Sequence, residues 1–507
     1  RLFSTNSKKD KLNRLIDYID YEYVDDVNTD SIVDITVNSI LEKLDPHSVY
    51  ISENEMDRVS ENMKGDFVGI GVNFYPYKDT ITVIKTVKDG PSFLKGILPG
   101  DRILMADNDT LYGKDFPNEM IVEKLKGKEG TTVNLKVYRK AENKTFNVKV
   151  KRGVVPLKSV EAFYMLTKDI GYIKVNRFAE STYKEFKNSL VDLQKRGAKK
   201  LVLDLRDNPG GYLGMAEEMA DEFLEDGKLI LFTKNKKGKI NKSFATDEGS
   251  FEDKPIYVLI NERSASASEI VAGALQDNDI GTIVGRRSFG KGLVQREMSL
   301  GDGSAVRLTV SRYYTPTGRS IQRTYANGTK DYYQRFTDRF HSGEMVSVDS
   351  IKVADSLKFV TPKGKVVYGG GGIIPDVFVP IGSNEEEAVE SMDNSGYLSF
   401  FVFEHLEEDR DRYANYSQEE YVNDFKVDDI LFEKFVEYSV KKNLRMNFYD
   451  HEKSIKQFLK ASIAEQLFNT NIHAKIKADE DPMLKKVLEL DSNVMKQHES
   501  SLIKAND

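Results

Sequence analysis

Between residues 156 and 380, short apolar runs alternate with stretches of helical spacing, and this alternation most constrains what the chain can become. "IGYIKV", "KLVLDL", "PIYVLI" and "GTIVG" read as strands, and helices are expected over 181–196, after Gly211 and over about 267–276. Strands and helices in alternation bury one another's apolar faces as layers, so an α/β core is expected. Further on, "VQREMSL" and "SAVRLTVSRYY" flank "GDG" and read as a long hairpin.

With 507 residues the chain exceeds what one hydrophobic core usually serves, and three or four units are expected. Residues 8–44 space apolar side chains as a pair of amphipathic helices would, until "DPHSVY" breaks the pattern. Over 66–151 the texture turns to short β-rich runs, "FVGIGVNFY", "TITVIKTV", "TVNLKVY" and "TFNVKV", with turn signals between them and one helix, "NEMIVEKLKG". That is a compact module of about 90 residues. After Pro380 the chain becomes polar, acidic and helical. The boundaries expected are 1–62 helical, 63–153 β-rich, 154–380 α/β and 381–507 helical.

Hydrophobic residues at 39% and charged residues at 31% fit a globular chain. A net charge of -7, from 74 basic and 81 acidic residues, offers no field for a phosphate backbone, so nucleic acid is not an expected partner. Cysteine is absent, which excludes disulfides, thiolate catalysis and zinc-cysteine sites. No run approaches the ~18 apolar residues of a membrane helix. The start at Arg1 rather than Met is compatible with an export or anchor segment having been removed.

"NERSASASEI", residues 261–270, follows the strand-like "PIYVLI" and leads into a helix. Such an elbow can hold a serine at a helix N-terminus, where free amides and the dipole favour a developing oxyanion. Ser266 stands there, but Ser266 and Glu269 also spell S-x-x-E, a capping box that needs no chemistry. A nucleophilic serine needs a proton acceptor. The six histidines are His47, His341, His405, His451, His473 and His498, so none lies in the α/β segment before His341. A lysine with a pKa depressed by burial is the remaining candidate, and "RRSFGKGLVQ" offers Lys291, which could equally be a solvated loop lysine. Gln295 could orient its amine only if the backbone bends near Gly292, since a straight strand would separate the two by ~13 Å. Gly285 to Lys291 imitates a phosphate-binding loop, but Gly292 replaces the required Ser or Thr and a strand-like run follows. In "LVLDLRDNPGGYLGM" the amides of Gly210 and Gly211 could line an oxyanion hole, or the glycines could simply turn the chain. No metal-binding spacing of histidines occurs, and no cofactor is expected.

Taken in order, these motifs resemble the bacterial C-terminal processing peptidases, or tail-specific proteases, which are serine-lysine enzymes with a PDZ domain. "RSASASEI", "FGKG" 25 residues later and the glutamine four beyond are similar to that family's motifs, as are "DLRDNPGG", "LDPHSVYIS", "GDFVGIGV", "LPGDRIL" and "GGGGIIPDVFV". The resemblance covers about residues 41–380. It implies a crotonase-like α/β protease core with an inserted PDZ domain, Ser266 as nucleophile, Lys291 as general base, Gln295 as its orienter, and backbone amides of Gly210, Gly211 and Ala267 as oxyanion donors. It also implies that the loop of Gly69, Ile70, Gly71 and Val72 receives a peptide's C-terminal carboxylate, with Phe67 and Ile70 selecting apolar tails. The expected partners are proteins or peptides with free C-termini, with the terminal helices open to a second copy or an adaptor. Asp277 matches an acidic position of some relatives and reads as a helix-end or salt-bridge residue. The family is exported, so a periplasmic or membrane-anchored location facing the periplasm is expected, and the PDZ domain is expected to gate the site. The alternative is a non-catalytic tail-binding protein that keeps the core as a scaffold.

Overall fold

The computed structural model describes residues 7–113 and 116–505. Residues 1–6 and 506–507, at the ends of the two helical regions, lie outside the described residues.

The α/β core is a six-stranded sheet in the order Val160–Met165, Ile170–Val175, Lys200–Asp204, Ile256–Ile260, Gly281–Gly285 and Val377–Phe378. Its first strand is antiparallel to the second and all other neighbours are parallel. Parallel strands are covered on both faces, which explains why "KLVLDL" and "PIYVLI" are apolar without alternation. On one face the helices Thr182–Lys195, Leu213–Asp221 and Ala267–Asp277 pack Phe186, Leu190, Met219, Val271 and Leu275 against Leu201, Leu203 and Val258. On the other, Met483, Leu484 and Val487 of the helix Pro482–Ala505 pack on Val202, Tyr257, Leu259 and Val284. Burying each such side chain contributes about 1.5–3 kcal/mol, so the C-terminal helices are a structural layer of the core.

A second sheet carries the hairpin expected around "GDG", with Leu293–Ser299 antiparallel to Ala305–Tyr314. The short strand Val49–Ile51 pairs with residues 305–307, drawing the "DPHSVY" segment onto this second sheet.

The β-rich module is a sheet of Val72–Tyr77, Thr80–Thr86, Asp101–Ala106, Thr132–Arg139 and Lys144–Lys151, closed by the helix Asn118–Leu125, whose Ile121 joins Ile81, Val83, Ile103 and Val133 in the core. The chain enters and leaves it through the paired strands Asp66–Gly69 and Gly153–Pro156. Its end strand, Val72–Tyr77, pairs on one side with Thr80–Thr86.

The C-terminal helices also have an aromatic core of their own, including Phe401, Tyr421, Phe425, Phe432, Phe435 and Phe458. The helix Tyr397–Asp409 meets the β-rich module directly. Tyr75 stacks on Phe400 with ring centroids 3.8 Å apart, Tyr77 packs edge-on to Phe403, and Arg102 pairs with Glu407 at 2.5 Å with both side chains buried.

Candidate active site

Ser266 lies where the strand Ile256–Ile260 has turned into the helix Ala267–Asp277, with φ 56° and ψ -112°. A residue with a Cβ enters that region only when its surroundings force it to, and such strain gathers at functional sites. The "DNPGG" segment packs directly against this turn. Gly210 lies so close that a Cβ there would stand 2.8 Å from the Ser266 Cβ and 2.9 Å from the Ala267 nitrogen. Gly211 is tighter still, with φ 148° and a would-be Cβ 2.1 Å from the Phe178 carbonyl oxygen.

Lys291 stands just before the strand Leu293–Ser299, and no helix follows it, so the loop lacks the geometry of a phosphate-binding loop. The lysine is half-buried, and its Nζ donates to Gln295 Oε1 at 2.9 Å rather than to Ser266. A bulge between Val294 and Gln295 re-aims the glutamine, so the bend comes a little later than Gly292. Gln295 Nε2 in turn donates to the His47 carbonyl of the "DPHSVY" segment. Burial lowers the Lys291 pKa, and the positive charge of Arg307 lowers it further, against opposition from Glu269 and Asp45. Burial, followed by the charge of Lys291, also holds His47 down at about 4. Ser266, Lys291, Gln295, Gly210 and Gly211 all line one cleft of about 640 Å³, which Met56, Val59 and Met63 of the helix Glu53–Lys64 also line.

Two residues to which the sequence gives no part in the chemistry join the serine and lysine segments. Glu269 is fully buried and does more than cap its helix. Its carboxylate accepts the Ser266 amide at 2.8 Å, the Lys291 amide at 2.9 Å, the Gly290 amide at 2.6 Å and Ser288 Oγ at 2.5 Å. Burial raises its pKa in spite of these four donors. Tyr313, also buried, directs its hydroxyl at the carbonyls of Ser266, 3.2 Å away, and Lys291, 3.0 Å away. The S-x-x-E spacing was the one local trace of Glu269, and Tyr313 left none.

The three expected oxyanion donors differ. The Gly210 amide already donates to Asn208 Oδ1 at 2.9 Å, which is a correction to its expected role. The Gly211 and Ala267 amides donate to no group among the described residues. Asp277, at the far end of the helix, forms a buried ion pair with Arg319 at 2.7 Å and accepts from Thr317.

In the β-rich module the carbonyls of Ile70 and Gly71 accept from Ser92 and Val87, at 3.0 and 2.9 Å, while the amides of the same two residues have no partner among the described residues. Gly71 has φ 70°, the left-handed conformation that one residue of an anion-binding backbone cradle adopts. Gly69 and Val72 flank it, and Phe67 lies under the Lys126 ammonium, 4.7 Å from the ring centroid. Ile70 is another correction. Its side chain is 2% exposed and belongs to the module's own core, so it cannot select a tail residue. No cluster of three or more metal-ligating side chains occurs among the described residues.

Residues 169–332 match peptidase family S41, residues 68–150 match a PDZ domain and residues 389–469 match a family of unknown function. A carboxy-terminal-processing protease of Bartonella bacilliformis is 37% identical over 305 residues, which cover 59% of this chain and 69% of that protein. The chain belongs to peptidase family S41. This S41 peptidase is also 33% identical over 344 residues to a probable CtpA-like serine protease of Staphylococcus haemolyticus, with 67% of each chain covered. The solved photosystem II D1 C-terminal processing protease aligns with 73% of this chain and 86% of its own at 23% identity, with a TM-score of 0.37. The S41 chain is thus a serine protease of the C-terminal processing type that carries a PDZ domain.

Proposed function

We propose that this S41 peptidase holds a protein's C-terminal tail in its PDZ domain and cuts upstream of it by acyl transfer at Ser266, with Lys291 as the base. The neutral Lys291 amine accepts the Ser266 proton as Oγ attacks the scissile carbonyl carbon, and the oxyanion that forms is received by the Gly211 and Ala267 amides. The lysine then gives its proton to the leaving amine, and the C–N bond breaks to leave an acyl-serine. Water, deprotonated by the same amine, hydrolyses the ester. Gln295, held by the His47 carbonyl, keeps the amine from rotating away. In the PDZ domain the tail's carboxylate takes the Ile70 and Gly71 amides, and its backbone adds a strand to Val72–Tyr77.

The observation that carries this reading is a half-buried lysine of lowered pKa in one cleft with a serine at a strained helix start, the two segments being joined by the Glu269 carboxylate. The test is cleavage of a protein with an unstructured tail. Ser266→Ala and Lys291→Ala should each lower kcat by at least ~10⁴-fold, since members of such a unit fail together, while tail binding persists. Cleavage surviving either change refutes the dyad, and wild-type binding without cleavage would make the protein a tail-capturing scaffold. An oxidising, exported compartment suits a chain without cysteine, and cell fractionation tests that part of the proposal.

A further inference from the structure

The loop that carries Gly211 is held from behind by the C-terminal helices. It leaves the sheet at the buried Asp204, and Arg206 folds back on that carboxylate, with Nε 3.0 Å from both oxygens and Nη2 2.6 Å from one. Burial works to raise the Asp204 pKa, but the paired guanidinium outweighs it and keeps the carboxyl below its usual range. This pairing spans two residues of one segment, so by itself it fixes Arg206 only to its own strand end. The charged partner from outside is Asp481, whose Oδ2 accepts from Arg206 Nη2 at 2.7 Å. Asp481 is firmly placed, because its other oxygen caps the helix Pro482–Ala505 by accepting the Met483 amide at 2.9 Å and the Leu484 amide at 3.2 Å. Beyond Arg206 the loop is also tied by Asp207 and Asn208 to Asn261, Val175 and Ser268, and Asp207, Gly210 and Gly211 all have φ in the left-handed half, at 59°, 99° and 148°.

We infer that Asp481 is a positioning residue for the oxyanion loop: through Arg206 it keeps the Gly211 amide facing Ser266, so the C-terminal helical region takes part in catalysis. The inference rests on the proposed oxyanion role of Gly211. The same helix has a second ion pair to the sheet, in which Lys200 Nζ lies 2.8 Å from both oxygens of Asp491, at the other end of the strand Lys200–Asp204 and away from the loop. That pair is the natural control.

Asp481→Asn removes the charge while keeping a good helix cap, and Asp481→Ser, another good cap, replaces it if the first variant does not fold. Displacing one group of a reacting constellation slightly can cost up to ~100-fold in rate, so kcat on a short peptide without a tail should fall ~10-fold or more, with KM within ~2-fold of the wild type. A peptide boronate, whose tetrahedral adduct imitates the oxyanion, should bind more weakly by the same factor. Asp491→Asn should leave kcat and boronate affinity unchanged even where it lowers the melting temperature as much. Wild-type kcat in Asp481→Asn, or equal losses in both variants, overturns the inference. Absence of a boron NMR signal for the wild-type adduct would instead refute the serine-lysine reading, and the inference with it.

Discussion

A lysine that must take a proton from serine works best where its cation is poorly solvated, and the half-buried Lys291 is placed in that way. Activity should follow the neutral amine, rising with pH through a value below that of a free lysine, ~10.4, and levelling off above it; a rate profile with a peptide substrate checks this. The same burial bears on stability. Below the lowered value folded and unfolded chains both hold the proton, and folding bears the whole cost of a buried cation. Between that value and ~10.4 the unfolded chain binds more protons than the folded one, so stability climbs with pH. Lys291→Met should therefore abolish activity yet raise the melting temperature at neutral pH, with a gain that shrinks as pH rises, as calorimetry would show. Ser266, Lys291 and Gln295 could be picked out of the sequence because each sits in a local pattern, and the structure gathers them in one cleft. Glu269 could be read only as a cap, since its other partners lie 19 to 22 residues away. Ile70 was misread because glycines on either side suggest a backbone cradle but do not reveal which way the side chain between them points.

At the scale of elements, the site depends on two turns that nearly touch. Gly211→Ala would place a Cβ 2.1 Å from the Phe178 carbonyl oxygen at a φ that side chains avoid, so the turn must open. It should cost at least ~2 kcal/mol and remove most activity. Gly214, in the helix that follows, has nothing within 4 Å of a would-be Cβ, and Ala there should stabilise by ~0.5 kcal/mol. Thermal unfolding of the two variants separates conformational need from mere glycine content. The alternating strands and helices were legible because parallel strands buried on both faces show as unbroken apolar runs. The layer that covers the back of the sheet was not, because an amphipathic stripe shows that a helix is covered without naming the cover. The pairing of residues 49–51 with 305–307 was hidden for the same reason, since it joins segments some 250 residues apart.

For the whole molecule, the C-terminal region touches both the protease sheet and the PDZ domain. Removing one partner of a buried ion pair costs about 3–5 kcal/mol, because the remaining charge stays in a poor solvent. Arg102→Met should accordingly loosen the docking of the PDZ domain on the helix Tyr397–Asp409, giving an earlier step in calorimetric unfolding. Adding Glu407→Leu should restore most of the loss, since an apolar pair of similar bulk replaces the ion pair at little cost. If the single and double variants unfold alike, the pair contributes nothing to docking.

The Glu269 carboxylate has a consequence for control of the enzyme. One buried group yokes the serine turn to the lysine loop, so the two travel as a rigid couple, and a switch that pulled them apart would have to strip four donors from it in a dry interior. Throttling this protease is far cheaper at the doorway: by narrowing the path along which a polypeptide threads, or by tilting the opposite lip of the cleft, while the chemical pair stays assembled and waiting.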